Sequence, residues 1–433
     1  MRYVLIVCYD FPRISAAGVI RTYQFAKSLP DFGWQPVILT AQVPGENQEE
    51  NIEISDGKLS CPKITAAPSK LTVPIRVDHR EARALDEPSR VKGNGYMTGF
   101  ARFAVPDGKI GWLVPAVKRG SQIARDLPIE ACLSVSPRPT AHLVAYRLAR
   151  RLNIPWVADF TLPWSDAYWL TGRPHLIESL DKKLEKLVVQ SAQRVTVAYP
   201  EIGRNLGVRY GRAIADKITV LPTGFDEDLF TKHRTSAPAK FTVVYPGNHF
   251  CEEGRDGEYF LRAIDEWIEL NPGLEEKAEF VFIGKRDESL FRHRRNMAHP
   301  EVIRVEPLTS HRACVQTVRL SHLCVVNTVG NRIPAKVYEC MRAGKSILAL
   351  TEPESDLARI VTHYPRGTVV APQNTAAIRQ ALQDIWRRCS SGIVESMQTD
   401  GFVDRYIAKH SAELLAAIFN RLLKKDELIK VEA

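Results

Sequence analysis

Apolar residues along this chain gather into short continuous runs, and between the runs lie longer stretches in which apolar and polar positions alternate with helical spacing. Tyr3 to Cys8 is the first such run, and its unbroken apolar character predicts a parallel strand buried on both faces. A loop of small residues, Ser15 to Gly18, follows. Ile20, Tyr23 and Ala26 then recur at helical spacing, Gly33 interrupts the pattern, and PVILT predicts a second strand. From about residue 42 to 111 the periodicity fades into polar, Pro- and Gly-bearing sequence, which reads as an insertion or long loops. Order returns with a helix near Val114 to Ala124, the strand ACLSV, a helix from Thr140 to Arg151 and the strand IPWVADF.

The helix after Leu176 carries Leu180, Leu184, Leu187 and Val188 on one face and Lys182, Lys183 and Lys186 around the other. This reads first as an ordinary solvated helix, and second as a surface for an anionic membrane. RVTVAY, a short helix and ITVLPTGFD complete the first half, and DEDLFTKHRTSAPAK reads as a linker. The alternation then starts afresh: FTVVYPG, a helix over Gly257 to Leu270, EFVFIG, a helix over Glu288 to Met297, and the strand at Cys324 to Val326. A loop and a short helix with Pro334 in its first turn follow, ending at Gly344 before a strand at Ile347, and the last helix runs from Val403 to Lys425. Two doubly wound α/β domains are expected, 1–230 and 231–400, with the helix of 401–433 packing across their junction.

Length and charge narrow the function classes. At 433 residues the chain exceeds one ordinary core, and a net charge of +9, scattered rather than clustered, suits phosphates, sugar nucleotides or acidic lipid. Basic clusters such as Arg292, Arg294 and Arg295 lack interleaved aromatics, so nucleic acid is not expected as a partner. Eight cysteines without a C-x-x-C spacing disfavour a metal site or a disulfide framework and fit a reducing cytoplasm. The apolar start stops at Asp10 with no cleavage site after it, and no later run is long enough to span a bilayer. The expectation is a cytoplasmic chain, with peripheral contact at an anionic inner membrane face left open.

Candidate chemistry lies in loops after strand ends, where open α/β sheets bind ligands. The first loop lacks the G-x-G-x-x-G pattern, which disfavours a nicotinamide cofactor. SVSPRPTAHL carries His142, read on its own as a helix-surface histidine, and DFTLPWSDAYW carries Asp159, read as a cap or as an acid or base. Trp164, Tyr168 and Trp169 offer a ligand wall or packing. In IPAKVYECMRAGK, Lys336 and Glu339 stand three residues apart, so both reach one face near the positive end of a helix. That arrangement suits a phosphorylated ligand whose sugar hydroxyls meet a carboxylate.

Four stretches carry a family resemblance: YDFPRISAAGVIRTYQFAKSLPDFGWQPVILT, SPRPTAHLVAYRLARRLNIPWVADF, ITVLPTGFD and IPAKVYECMRAGKSILAL. In their order and spacing the chain resembles the family-4 retaining glycosyltransferases, which have the GT-B fold of two facing Rossmann-like domains. The resemblance implies transfer of a sugar, with retained configuration, from a nucleotide-diphosphate sugar to an acceptor in polysaccharide or glycoconjugate synthesis, without metal or other cofactor. It implies an acceptor side in the first domain and a donor side in the second. A lipid-linked saccharide, a small metabolite or a protein all fit as acceptor.

Glu339 matches the second glutamate of the family's E-x7-E motif, which binds ribose hydroxyls. Asn331 stands where the first glutamate would be, and an amide still hydrogen-bonds a hydroxyl but carries no charge. Ala17 and Gly18 match the small-residue loop facing the diphosphate, and His142 matches a histidine lining the donor-sugar site. Arg255 is the candidate for the diphosphate-neutralising arginine, joined by Lys336 and by the amides near Asn331 to Ala335, in a binding loop that includes Ile333 and Pro334. Thr161 and Leu162 replace an Arg and an Asp common in this subgroup. With Asn331, they keep a second reading open: a catalytically silent GT-B protein that binds a nucleotide sugar or a partner.

Overall fold

The structure, a computed structural model, describes residues 1–11, 17–41, 52–55, 58–60, 74–77, 103–167, 170, 172–230, 238–251, 254–307, 310–391 and 401–431. The chain divides into two compact units, Met1–Thr223 with Ala408–Ala433, and Gly224–Ile407. The first unit contains strands β1 (Arg2–Val7), β2 (Trp34–Ala41), β3 (Ile52–Ser55), β4 (Lys58–Ser60), β5 (Pro74–Val77), β6 (Ile129–Val135), β7 (Trp156–Phe160), β8 (Arg194–Val197) and β9 (Ile218–Val220). Its helices are α1 (Ala17–Ser28), α2 (Leu113–Asp126), α3 (Thr140–Leu152), α4 (His175–Ser191), α5 (Pro200–Tyr210) and the short α6 (Arg212–Ala215).

Among the described residues, seven of these strands form one sheet in the order β5-β2-β1-β6-β7-β8-β9, all parallel, with β3 and β4 a separate antiparallel pair. The stretch read from sequence as an insertion therefore contributes the edge strand β5, with Ile38 opposite Pro74. Residues of β1, β2 and β6 alternate between the two faces. Val4, Ile6, Ile38 and Leu133 pack with Phe25 of α1 and with Leu415 and Phe419 of the last helix of the chain. On the other face α2 meets α3 closely, because a Cβ on Gly120 would lie 2.6 Å from Leu148 Cδ1.

The second unit contains β10 (Phe241–Pro246), β11 (Ala278–Gly284), β12 (Ile303–Pro307), β13 (Leu323–Asn327), β14 (Ser346–Leu350) and β15 (Gly367–Val370). Its helices are α7 (Gly257–Glu269), α8 (Glu288–Arg295), α9 (His311–Arg319), α10 (Lys336–Arg342), α11 (Asp356–His363) and α12 (Thr375–Ser390). The sheet is again parallel, in the order β12-β11-β10-β13-β14-β15. Phe241, Val243, Phe280, Trp267 and Ile264 build the core on one face, and Val244, Cys324, Val337, Cys340 and Leu357 build it on the other.

Helix α13 (Ala408–Val431) belongs to the first unit. Ser411 Oγ donates to the Pro222 carbonyl at 2.8 Å, Trp34 Nε1 donates to Asn420 Oδ1 at 3.1 Å, and Lys409 pairs with Asp31 at 2.7 Å. Sequence placed the start of this helix at Val403, but Asp404–Tyr406 forms a separate 3-10 turn before it. The linker read over 226–240 begins as a capped turn at Glu227–Leu229, and its residues 231–237 lie outside those described. No helix among the described residues is long and apolar enough to cross a membrane.

Candidate functional site

In the second unit the chain runs β10, β11, β12 towards one edge and then returns to the other side of β10 with β13. The switch point of the sheet therefore lies between β10 and β13. Loops leaving the carboxyl ends of those two strands flank the crevice in which such sheets bind ligands. Two buried side chains fix these loops. Asp287 accepts from the Phe250 and Cys251 amides at 2.6 and 2.8 Å and, as the cap of α8, from the Leu290 amide at 2.9 Å. Asn327, the last residue of β13, donates through Nδ2 to the Phe250 carbonyl at 2.9 Å. Gly284 lets the first loop approach, since a Cβ there would lie 2.1 Å from the Gly247 carbonyl oxygen.

Helix α10 begins at Lys336, so Pro334 lies in the loop before it rather than in its first turn, with its carbonyl accepting from the Val337 amide at 3.1 Å. Asn331, Ile333, Pro334 and Ala335 form that half-buried loop, which follows Gly330 in the left-handed region at φ +62. Glu339 is only 1% exposed. Its Oε2 accepts from Lys336 Nζ at 2.9 Å and its Oε1 bonds His311 Nε2 at 2.5 Å. Burial alone would push this carboxyl up, but the Lys336 ammonium and the His311 ring outweigh it and hold its pKa at about 2. Burial lowers the Lys336 pKa and Glu339 raises it, with a net upward shift. The site therefore holds an ionised carboxylate at a strand-end crevice, with acceptor lone pairs still available beside its two donors.

The structure unites Lys336 and Glu339 as their spacing predicted, and it adds His311, which sequence reasoning missed. Ser310 caps α9 by accepting from the Ala313 amide at 3.2 Å, and this sets His311 as the first helical residue. A Ser-His start to a helix was legible; its partner 28 residues later was not. Arg255 stands half-buried two residues before α7, in the segment after β10.

The other sequence candidates lie in the first unit. Ala17 and Gly18 are the first two residues of α1. His142, read on its own as a surface residue, is fully buried. Asp107 accepts from the Thr140 amide and hydroxyl, both at 2.9 Å, and so fixes the start of α3. The His142 ring stacks on Phe160 with centroids 4.6 Å apart, and Trp164 lies beyond at 6.2 Å. Ser134 Oγ accepts from Trp156 Nε1 at 2.8 Å and is hydrogen-bonded to His142 Nδ1 at 2.7 Å. His142 Nε2 is buried and has no partner among the described residues. Burial drives the His142 pKa down to about 3, so the ring is neutral.

Asp159 is neither a cap nor an exposed acid. It is fully buried, holds Arg21 through two bonds of 2.7 Å, and accepts from Thr196 at 2.5 Å. Arg21 also donates to the Leu221 carbonyl at 2.6 Å, tying α1 to β7 and to the end of β9. Thr161 is buried, while Tyr168 and Trp169 lie outside the described residues.

Comparison with known proteins places this geometry. Residues 240–388, most of the second unit, match the family model described as Glycosyl transferases group 1. No curated protein matches the chain in sequence. Among solved structures, sucrose-phosphate synthase from Thermosynechococcus elongatus superposes with a TM-score of 0.71 at 14% identity, over 98% of this chain and 100% of the other. HepE from Anabaena, solved in complex with UDP-glucose, gives 0.56 at 13% identity over 100% of both chains. The α,α-trehalose 6-phosphate synthase from Burkholderia multivorans gives 0.59 at 12% identity over 99% and 98%. At these identities the likeness is one of fold: the chain has the α/β architecture of two Rossmann-like units that these GT-B proteins share, and its second unit carries the glycosyl transferase group 1 match.

Proposed function

We propose that the chain is a retaining glycosyltransferase that binds a nucleotide-diphosphate sugar through its second unit and passes the sugar to an acceptor in glycoconjugate or polysaccharide synthesis. The observation that carries this reading is Glu339, a carboxylate buried at the switch point of a parallel sheet and kept ionised by Lys336 and His311. Two ribose hydroxyls need acceptors, and an ionised carboxylate supplies them at a strand-end crevice. The family match over residues 240–388 supports the same assignment. HepE, a protein of similar fold, was solved with UDP-glucose.

The chemistry asks for stabilisation of a departing diphosphate and of an oxocarbenium-like sugar. Arg255 and the amides between Asn331 and Ala335 are assigned to the diphosphate. Lys336 adds positive charge to the same loop while it orients Glu339. In the first unit, the buried His142 is neutral and its Nε2 has no partner among the described residues, which fits the donor-sugar role the family resemblance assigns to it. These groups carry the charge without a metal or a further cofactor, and the cytoplasm, where nucleotide sugars are at hand, is the assigned compartment.

Calorimetry with UDP, GDP and ADP and their sugars tests the reading. One nucleotide family is expected to bind the wild type, and Glu339→Gln to weaken it by more than tenfold. Equal affinity in the variant, or no binding to the wild type, would remove the assignment of α10. Asn331, where a glutamate would add charge, favours a second reading of binding without transfer. Incubation with the bound donor separates the two, because a transferase releases free sugar slowly when water replaces the acceptor.

A further inference from the structure

Helix α4 sorts its residues in an unusual way: Leu176 is 73% exposed, Leu180 40% and Leu187 36%, while Asp181 and Glu185 are buried at 2% and 0%. This sorting has a cause in the neighbouring segments. Arg173 pairs with Asp181 inside the fold, and Trp164 Nε1 donates to the same carboxylate at 3.3 Å. Glu185 accepts from Arg209 at 2.7 Å, from the Tyr210 hydroxyl at 2.7 Å, and from the amide and hydroxyl of Ser165 at 3.0 and 2.7 Å. With Val188 and Val189 also buried, the helix has one fixed rotation about its axis. Its leucines are left outside as a consequence of where the arginines are.

The exposed face is a stripe rather than a scatter. Leu176, Leu180, Lys183 and Leu187 follow one another at intervals of four, three and four residues, the spacing of one side of a helix. Lys182 and Lys186 are exposed along its flank. Next to it, the Tyr210 hydroxyl of α5 lies 3.0 Å from the Lys182 carbonyl oxygen, and the same end of α5 presents Val208 at 88% exposure. Single exposed leucines are ordinary on a protein surface, but an aligned row edged by lysines is the composition of a helix lying in a membrane interface. Of the three acids of α4, Asp181 and Glu185 face inward and are paired with Arg173 and Arg209, while the partly exposed Glu178 lies in the first turn beside His175.

We propose that the outer face of α4 is a docking surface for a bilayer containing anionic lipids. The leucine row enters the boundary between headgroups and acyl chains, and Lys182, Lys183 and Lys186 meet the lipid charges. Charge complementarity selects this occupant over a neutral apolar partner, because three exposed lysines line the face against one partly exposed acid, Glu178, which His175 faces at 3.6 Å.

Co-sedimentation of the full-length protein with vesicles tests the proposal. Wild type is expected to bind vesicles of phosphatidylglycerol and phosphatidylcholine, to ignore pure phosphatidylcholine, and to be released by high salt. Two variants separate the contributions. K182Q/K183Q/K186Q should weaken binding by about a hundredfold, three lysines each contributing about fivefold. L176S/L180S/L187S should abolish it even at low salt. All six residues are outside the core, so circular dichroism and thermal unfolding are expected to match wild type. Failure of wild type to bind anionic vesicles, or undiminished binding by both folded variants, would overturn the proposal. So would a wild-type dimer in sedimentation velocity that the leucine variant converts to monomer while neither binds vesicles, since the face would then belong to a second copy.

Discussion

Glu339 in the second unit and His142 in the first are both almost fully buried, yet one is ionised and the other neutral. Burial disfavours the charged form of either group. Glu339 keeps its charge because two donors on different helices, Lys336 and His311, meet its two oxygens. His142 stays neutral because its neighbours are a hydroxyl and two aromatic rings, and none of them is a charge. Depth in the fold therefore does not decide ionisation here. The decisive quantity is whether the sequence brings a counter-charge to the same few ångströms.

The sharpest way to break that view uses a buried ion pair of the first unit. Arg21 and Asp159 are 1% and 0% exposed, and Asp159→Ala would strand the guanidinium in the core. A loss of about 3–5 kcal/mol is expected, read from the denaturant midpoint. A near-neutral result would mean that a charge at this depth needs no partner, which would undo the comparison.

Acid titration of stability separates the two groups by window. The Glu339 carboxyl is depressed from 4.5 to about 2, so its contribution is full above pH 4.5 and is lost as pH falls towards 2. That contribution is worth about 3 kcal/mol, and Glu339→Gln should remove the slope between those values. For His142 the unfolded chain takes up a proton below 6.5 and the folded chain only below about 3, so acid favours the unfolded state across that window. The loss reaches about 2 kcal/mol by pH 5, and His142→Phe, which keeps a ring against Phe160, should flatten the limb between pH 6.5 and 5. A wild-type curve flat in that interval would show that His142 is already charged in the fold.

The smallest effect sharpens the roles of the two donors to Glu339. His311→Ala removes one bond to a carboxylate and should cost about 1.5 kcal/mol of stability. Nucleotide affinity should fall several-fold in calorimetry, less than for Glu339→Gln, and His311→Gln, whose amide can donate, should recover part of it. Equal losses for His311→Ala and Glu339→Gln would make the histidine a direct ligand contact and not a support for the carboxylate.

Much of the molecule was legible in its residues. Continuous apolar runs such as Tyr3 to Cys8 and FTVVYPG marked parallel strands, because a strand covered on both faces has no polar side to show. The three-residue spacing of Lys336 and Glu339 placed them together because helix geometry is local. What escaped was non-local. His311 meets Glu339 from a separate helix, Asp159 is committed to an arginine 138 residues earlier, and β5 finds its sheet from within a stretch lacking periodicity. Helix α4 is the clearest case. Its own sequence fixes an amphipathic helix with a leucine side and a lysine side, since periodicity is a property of one segment. That Asp181 and Glu185 face the core with Val188 and Val189 was decided in the tertiary structure, where Arg173 and Arg209 pair with the buried acids and leave Leu176, Leu180 and Leu187 exposed.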